Sequence, residues 1–598
     1  MYLYVVYCHV LWYNGGVEDR DMNFVIRKTK NKELMYIQRS FRKDGKSTTK
    51  NVEKLGDIQT FMKERNMTRE EAIAWGKKRA LLLTEREKED TKEIVVKFYQ
   101  NQLIEKDVQR SFAGGYLFIQ KMYYQMRLPN AFRNIANRHK FEYDLSAIFS
   151  DLVYARILYP SSKFSSYEAA KSFLEPPRYE LHDIYRALSV LAKESDYIQS
   201  EIYKNSNLIL DRDKRILYYD CSNYYFEIEQ EDEEGPRRYG KSKEHRPSPI
   251  VQMGLFMDSD GIPLGFSLFN GNENEQKSLI PLEKKILDNY GLEKVIVCTD
   301  AGLSGYDSKF FNSRSNKAYI STQSLKKLKK QEKDWALSDE DFFVLSTGKR
   351  FEGSIKDLED TDILLYKEDP YPHKSIKEQR LIVTYSPKYA AYQRKIRDSQ
   401  VERAKALIAK GENRKSRNLN DPRRFIRKTS TTSNGEVADE TNYSLNEERI
   451  KEEAMYDGLY GIVTNLEDDV KDIIKVAEGR WEIEECFRIM KTDFEARPVY
   501  LSRKERIEAH FLVCYTALFF LRLLEHKSDH KYTSSKLIET LRSYKFLKID
   551  EGYLPAYTRN DITDSLHEAF DFRTDYQIIT PSKMRNIIKN TKTEQKKK

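Results

Sequence analysis

From Phe24 to Gly56 polar and apolar positions alternate around Lys43-Asp44-Gly45, the turn chemistry of a β-hairpin, so the stretch reads as a small β module. From Thr68 to about Ser206 the spacing changes to three and four. Tyr116 to Met126, Leu145 to Leu158 and Ile184 to Tyr203 each carry apolar residues along one helical face. At Arg215 the pattern changes again. Ile216-Leu217-Tyr218-Tyr219 is a short apolar run ending on Asp220, the form of a buried strand that delivers a carboxylate at its end. Val251 to Met257 and Ile262 to Phe269 follow as two strands joined by the turn Asp258-Ser259-Asp260-Gly261. Asn274 to Tyr290 is then an amphipathic helix closed by Gly291. After it, Lys294 to Thr299 repeats the first device, an apolar strand terminating in an acid, Asp300.

Strand, hairpin pair, helix, strand is the opening of an RNase H-like α/β fold, in which the first and fourth strands lie side by side and bring their carboxylates together. Ala318 to Ser321 supplies a fifth strand. The chain then leaves this pattern. It passes through strand-like Thr361 to Tyr366 and Leu381 to Tyr385 and a capping-box start at Ser444-Leu445-Asn446-Glu447. The helical pattern resumes near Val470, and Ser502-x-x-Glu505 caps an apolar helix that runs to about Glu525. The expected fold is a multidomain α/β protein: an RNase H-like catalytic core interrupted by an inserted domain and preceded by a small β module and a helical domain. Its expected divisions are an extension at 1–21, the β module at 22–67, a helical, DNA-binding domain at 68–210, the first part of the core at 211–322, a basic insertion at 323–455, the second part of the core at 456–545 and a C-terminal region at 546–598.

With 39% apolar and 33% charged residues, the 598-residue chain is folded and not disordered throughout. Its five cysteines are scattered and never spaced C-x-x-C, which leaves no disulfide framework or zinc finger and fits a reducing compartment. The longest apolar run, Phe511 to Leu521, falls short of the roughly 20 residues of a membrane helix and reads as a core helix. Met1 to Tyr13 is apolar but lacks a preceding Lys or Arg, so it reads as an upstream extension and not as a secretory signal. Charge is concentrated. Arg394 to Lys428 holds 13 Lys and Arg against four Asp and Glu, an excess equal to the +9 of the whole chain. Such a segment suits a phosphate backbone, whose counterions it would release, or a solvated surface insertion. Lys326 to Lys330 forms a second cluster, and the Lys592 to Lys598 tail reads as a solubilising end.

Lys471 to Asp493 reads as one helix. With Glu484 at zero, Arg480, Arg488 and Lys491 fall at about −40°, +40° and −20°, which puts one carboxylate among three cations. Glu485 and Glu482 face elsewhere, while Trp481 and Phe487 flank the face as core packing. Two readings stand: an ion-pair stripe, or a metal ligand flanked by phosphate-binding cations. Two strand-end aspartates and a helical glutamate favour the second, because Mg²⁺ prefers oxygen ligands and two such ions about 3.5–4 Å apart serve in-line phosphoryl displacement.

Tyr219-Asp220-Cys221-Ser222, Thr299-Asp300-Ala301-Gly302-Leu303 and Arg480-Trp481-x-x-Glu484-x-x-Phe487-Arg488-x-x-Lys491 resemble the three motifs of DDE-type bacterial insertion-sequence transposases, of the insertion-sequence-four-like superfamily. Its last signature runs Tyr-x2-Arg-x3-Glu-x6-Lys, and Ala477 stands here in the place of the tyrosine. Ser242 to Pro247, Asp457-Gly458, Thr464-Asn465 and Arg497-Pro498-Val499-Tyr500 also resemble that family.

The resemblance implies a cut-and-paste transposase that binds terminal inverted repeats, frees a 3′-OH, severs the second strand through a DNA hairpin and joins the ends to target DNA. Asp220, Asp300 and Glu484 would hold two Mg²⁺ ions, or Mn²⁺ in their place. Arg480 and Lys491, with Arg488 as a helper, would contact phosphates, and His245 and Arg246 would meet the cleaved end. The implied partner is double-stranded DNA, bound by a homodimer in the bacterial cytoplasm at the nucleoid, with no membrane. Two other classes remain: an RNase H-like nuclease without strand transfer, and a catalytically silent DNA-binding derivative.

Overall fold

In a computed structural model of the chain, the described residues are 21–29, 32–43, 46–90, 93–213, 215–233, 235–292, 295–314, 316–358, 362–410, 421–431 and 440–594. Residues 1–20 of the expected extension, the Asp44-Gly45 turn, Lys294, Thr361, positions 411–420 of the basic segment and the last four residues of the lysine tail lie outside them. The chain forms two compact units, Met1–Lys106 and Asp107–Lys598.

In the first unit, β1 (Met22–Lys28), β2 (Glu33–Lys43) and β3 (Lys46–Asp57) form an antiparallel sheet in that order. Helices α1 (Ile58–Arg65) and α2 (Arg69–Asp90) cover it, and Met35, Ile58, Phe61 and Ala72 make the shared core. Asp57 caps α1 by accepting from the Thr60 N–H, and the Met22 N–H donates to Thr84 on α2 at 2.8 Å. The helical stretch expected to open a second domain at residue 68 therefore begins by completing the first. A sheet this small needs a second layer to bury one face.

The second unit opens with β4 (Ser111–Ala113) and the helices α3 (Tyr116–Gln125), α4 (Leu128–Arg138), α5 (Leu145–Leu158), α6 (Lys163–Lys171), α7 (Leu181–Lys193) and α8 (Ser195–Ser206). The single helix expected from Ile184 to Tyr203 is thus two. The break falls at Glu194, whose carboxylate meets Arg138 at 2.5 Å and His139 at 2.7 Å on the neighbouring helix end.

The chain continues through β5 (Ile216–Tyr225), β6 (Ile250–Asp258), β7 (Pro263–Asn270), α9 (Leu279–Tyr290), β8 (Val295–Thr299), α10 (Tyr306–Phe311) and β9 (Lys317–Gln323). The stretch expected as an insertion adds α11 (Lys330–Leu337), β10 (Phe343–Val344), β11 (Leu365–Pro370), β12 (Arg380–Tyr385), α12 (Pro387–Ala409), the paired β13 (Ile426–Thr431) and β14 (Glu440–Leu445), and α13 (Glu447–Ala454). Next come β15 (Leu459–Thr464), α14 (Val470–Glu478), α15 (Trp481–Arg488) and α16 (Lys504–Lys527). The unit closes with α17 (Ser534–Ser543), β16 (Lys545–Ile549), β17 (Gly552–Pro555), α18 (Asp561–Phe570) and α19 (Pro581–Thr591).

Among the described residues, nine strands form one mixed sheet in the order β10-β11-β12-β15-β9-β8-β5-β6-β7. β5 lies parallel to β8 and β8 to β9, while every other neighbour is antiparallel. The stretch expected as a separate insertion is therefore partly continuous with the core, because β12, β11 and β10 extend the sheet outward from β15. β11 begins at Leu365, after described residues 362–364 that are not strand, its register set by pairing with β12. Local capping also differs from expectation. Asn446, not Ser444, caps α13 by accepting from the Arg449 N–H, and α16 starts from Arg503 without a side-chain cap.

Both faces of the parallel strands are covered, as their apolar runs require. Leu217, Tyr219 and Cys221 pack with Leu279, Leu282 and Ile286 of α9 on one face. The other face meets α14 to α16 and the helical bundle. Among the described residues only α16 is long and apolar enough to cross a membrane, yet 94% of its most apolar window is buried inside the protein. The Tyr515 hydroxyl donates to the Leu264 carbonyl at 2.8 Å and fixes α16 against β7. Cys221, Cys298, Cys486 and Cys514 are buried free thiols.

Arg212 and Asp258 form an ion pair at 2.6 Å with both side chains wholly buried. The guanidinium also donates to Ser206 Oγ and to the carbonyls of Ile262 and Pro263, locking the end of the bundle to the β6–β7 turn. Replacing Arg212 alone strands the Asp258 charge, so Arg212→Met should lower stability by about 3–5 kcal/mol in urea unfolding. Adding Asp258→Asn should recover part of that loss.

Candidate active site

The site begins with strand register. Ile216 pairs with Ile296, Leu217 with Val297 and Tyr218 with Cys298. Carried two residues further, the same register sets Asp220 beside Asp300. Asp220 is not at a strand end as expected. β5 runs on to Tyr225, so Asp220 lies in mid-strand, while Asp300 follows directly on the last residue of β8. Alternation puts Tyr218, Asp220, Ser222 and Tyr224 on one face of β5, with Tyr219 and Cys221 turned toward α9.

That face carries the segment expected as one continuous helix. It is broken instead. α14 ends at Glu478, α15 restarts at Trp481, and Ile489–Asp493 is a π turn closed by the Phe494 N–H on the Ile489 carbonyl at 3.0 Å. Tyr218 seats the break by donating its hydroxyl to the Val476 carbonyl at 2.9 Å. A Cβ on Gly479 would come within 2.3 Å of that hydroxyl oxygen, so only glycine permits this approach. Just past the break, Arg522 of α16 donates to the Gly261 carbonyl at 2.9 Å and pairs with Glu482 on α15.

The break changes which residues face the sheet. Ile483, Cys486 and Phe487 are the buried side of α15, centred about 105° from Glu484. Phe487 therefore packs in the core as expected, but Trp481 does not: it is 59% exposed. Arg488 also turns outward and is held by Glu485 at 2.7 Å and Asp493 at 3.1 Å, so the structure does not bring it beside Glu484. The wider π turn carries Lys491 inward, where its ammonium donates to Ser222 Oγ at 2.6 Å and lies over the Tyr224 ring.

Around Asp220 the structure gathers Asp300, Arg480, Lys491 and one cation that spacing alone does not single out, Lys243. Its ammonium donates to the Cys221 carbonyl at 2.6 Å and pairs with Glu275 at 3.3 Å. Burial pushes the Asp220 carboxyl up to about 6, with Asp300 adding to the rise and Lys243, the Cys221 N–H and Arg480 opposing it. Burial also lowers the Lys491 ammonium, and neighbouring Lys243 lowers it further. Lys243 moves the other way: burial lowers it, but Glu275 and Asp220 more than offset this. Asp300 accepts from the Leu303 N–H at 2.9 Å.

Glu484 stands at the rim, with its side chain 58% exposed and 2.9 Å from Arg480. Arg480 is the link between the acids, since Glu484, Asp300 and Asp220 all act on its guanidinium. Among the described residues the one trio of metal-competent side chains with all donor atoms within 4.8 Å is Asp564, His567 and Asp575, elsewhere in the unit. Arg559 and Arg573 already neutralise those two carboxylates, making that trio an ion-pair knot. By contrast, Asp220 and Asp300 are paired hard donors with no direct ion pair among the described residues. That donor set suits a divalent cation.

His245 and Arg246 lie on an exposed loop, with the Arg246 guanidinium 4.4 Å over the Tyr225 ring. Two open grooves border the acids. One of about 490 Å³ runs from Ala301 past Lys326 to Tyr389 and Tyr392 of α12. The other, of about 590 Å³, lies between Tyr389, Trp481, Arg480 and Glu484. Of the basic segment, Arg397 is buried against Asp457 at 2.5 Å and Arg424 is half-buried against Glu453 at 3.1 Å, so these two cations hold structure. Arg394, Lys395 and Arg403 on α12 are exposed.

Residues 226–520 match the family model described as Transposase DDE domain. The match takes in Asp300, Arg480, Glu484 and Lys491 and begins just after Asp220. A search of curated proteins gives no match. Among solved structures, the chain is similar to the piggyBac transposase synaptic complex with hairpin DNA, at a TM-score of 0.34 and 7% identity, over 81% of this chain and 86% of that one. At that distance the likeness supports no inference about the site.

The close approach at Gly479 is testable by a double-mutant cycle. Gly479→Ala should destabilise the protein by about 1–3 kcal/mol in thermal unfolding, and by less in a Tyr218→Phe background, where the clashing oxygen is gone.

Proposed function

We infer, from the premise that the chain carries a DDE-type transposase domain, that it cuts and joins DNA. The observation that carries this reading is the adjacency of Asp220 and Asp300 on neighbouring parallel strands under a cover of Arg480, Lys491 and Lys243. The strand order β9-β8-β5-β6-β7, with its two parallel pairs, supports an RNase H-like core. Asp220, Asp300 and Glu484 would hold two Mg²⁺ ions, or Mn²⁺ in their place. When bound, such ions activate a hydroxyl nucleophile and stabilise the departing oxygen of an in-line phosphoryl displacement.

The chain's own groups do the rest. Lys491, braced by Ser222, and Lys243, braced by Glu275, present ammonium groups to phosphate oxygens beside the acids. Arg480 balances the three carboxylates and offers a planar fork to a phosphate. Exposed Trp481, Tyr389 and Tyr392 are stacking surfaces for unpaired bases at a cleaved end. Arg246 on its Tyr225 platform, with His245 beside it, extends the contact toward that end. The substrate is double-stranded DNA carrying terminal inverted repeats, processed by a cut-and-paste route as a homodimer that pairs two ends.

Purified protein should cleave end-containing DNA with Mg²⁺ or Mn²⁺. Asp220→Asn, Asp300→Asn and Glu484→Gln should each cut the cleavage rate by about a thousandfold or more, the loss of several kcal/mol of transition-state stabilisation. Full activity in Glu484→Gln would remove that residue from the site. Supplying pre-cleaved ends and target DNA separates joining from simple hydrolysis. In binding to duplex DNA, Arg394→Ala/Lys395→Ala/Arg403→Ala should weaken affinity for all sequences alike and make the salt dependence shallower, by about one unit of slope for each phosphate no longer neutralised. An unchanged slope would make this face of α12 a merely solvated surface.

A further inference from the structure

A cavity of about 370 Å³ is lined by Arg156 and Lys163, by Glu495, Arg497 and Tyr500 downstream of the π turn, and by His510 of α16. Two of its cations are almost fully enclosed: Arg156 is 3% exposed and Lys163 4%. Arg156 donates to the carbonyls of Phe494 at 3.0 Å and Ser161 at 2.8 Å, and its Nε has no acceptor. Lys163 Nζ has no hydrogen-bond or ion-pair partner among the described residues.

An enclosed ammonium without a partner is costly, and a side chain needed only for packing would be apolar. The groups facing it offer no compensation. Burial, with the adjacent Arg156 acting in the same direction and Cys514 against it, lowers Lys163 to about 7. Burial, together with Lys163 and Arg156, keeps His510 neutral. Arg497 is already engaged by Glu244. Glu495 is exposed and forms no ion pair among the described residues. The α6 N-terminus adds positive potential, since Lys163 is its first residue. Arg497 also lies over Tyr225, the ring that carries Arg246, so the cavity continues the line of cations leading to the acids.

We propose that this cavity is a phosphate-binding site, in which Lys163 and Arg156 hold one phosphate group, either of a nucleic-acid backbone or of free inorganic phosphate. Lysine and arginine donors side by side match the several oxygens of a phosphate. The proposal stands independently of the transposase reading, since its first test needs no reaction.

The full chain would be heated in inorganic phosphate and in chloride at matched ionic strength. Phosphate should raise the melting temperature of the wild type and leave that of Lys163→Met nearly unmoved. Without phosphate, Lys163→Met should melt at or above the wild type, because an uncompensated charge has gone. Glu495→Gln, an exposed change, should lower the half-saturating phosphate concentration roughly threefold. For a duplex oligonucleotide, a salt slope shallower by about one in Lys163→Met assigns the site to a backbone phosphate, while an unchanged slope with the phosphate response abolished assigns it to the free ion. Equal phosphate responses and equal slopes in wild type and Lys163→Met overturn the proposal. If Lys163→Met fails to fold, an unchanged half-saturation in Glu495→Gln overturns it.

Discussion

The second unit is organised around two like charges held side by side. The parallel register of β5 on β8 sets Asp220 next to Asp300, and the Asp300 carboxylate opposes the ionisation of Asp220. Such a pair is unfavourable unless its surroundings supply positive charge, and three elements that are remote in the chain do so. A loop brings Lys243, a π turn brings Lys491, and the restart of a broken helix brings Arg480. Each cation is itself held. Glu275, Ser222 and Glu484 respectively engage them, so the positive groups keep their places without closing onto the acids.

The break that presents Arg480 is fixed by two contacts that leave little play. In the first, the Tyr218 hydroxyl meets the Val476 carbonyl above a glycine that has no room for a methyl group. In the second, buried Arg522 joins α16, the turn before β7 and Glu482. α16 is enclosed along most of its length, so α15 rests on a deeply buried part of the unit. Groups that must meet a charged ligand at set distances are best carried by such elements.

Much of this is legible in the chain. Apolar runs locate β5 to β8 and α9 because each is short, buried and bounded by a clear turn or cap: Gly291 ends α9 in a left-handed conformation, as its position after the amphipathic run implies. Less legible is whatever depends on contacts between distant segments. Ser222 and Asn223 look like the end of a strand, yet both are buried and β5 continues to Tyr225 because β6 pairs along its whole length. Gly479 sits in an unbroken helical pattern, and only its closeness to Tyr218 requires the break there. The wheel that groups Glu484 with three cations assumes a continuous helix. The break and the π turn separate Arg488 from that group and expose Trp481. Lys243 is an ordinary loop lysine until the fold brings Asp220 and Glu275 to it.

The extension of the sheet through β15, β12, β11 and β10 carries a consequence for how this chain could be shortened. Excising residues between β9 and β15 would remove β10, β11 and β12 and leave the outer rim of β15 with unpaired amides and carbonyls. That rim would be a template for intermolecular strand addition, and the trimmed protein would tend to polymerise into insoluble material. Any shorter descendant would have to blunt that rim with prolines, charges or a covering segment before it could dispense with the appended strands.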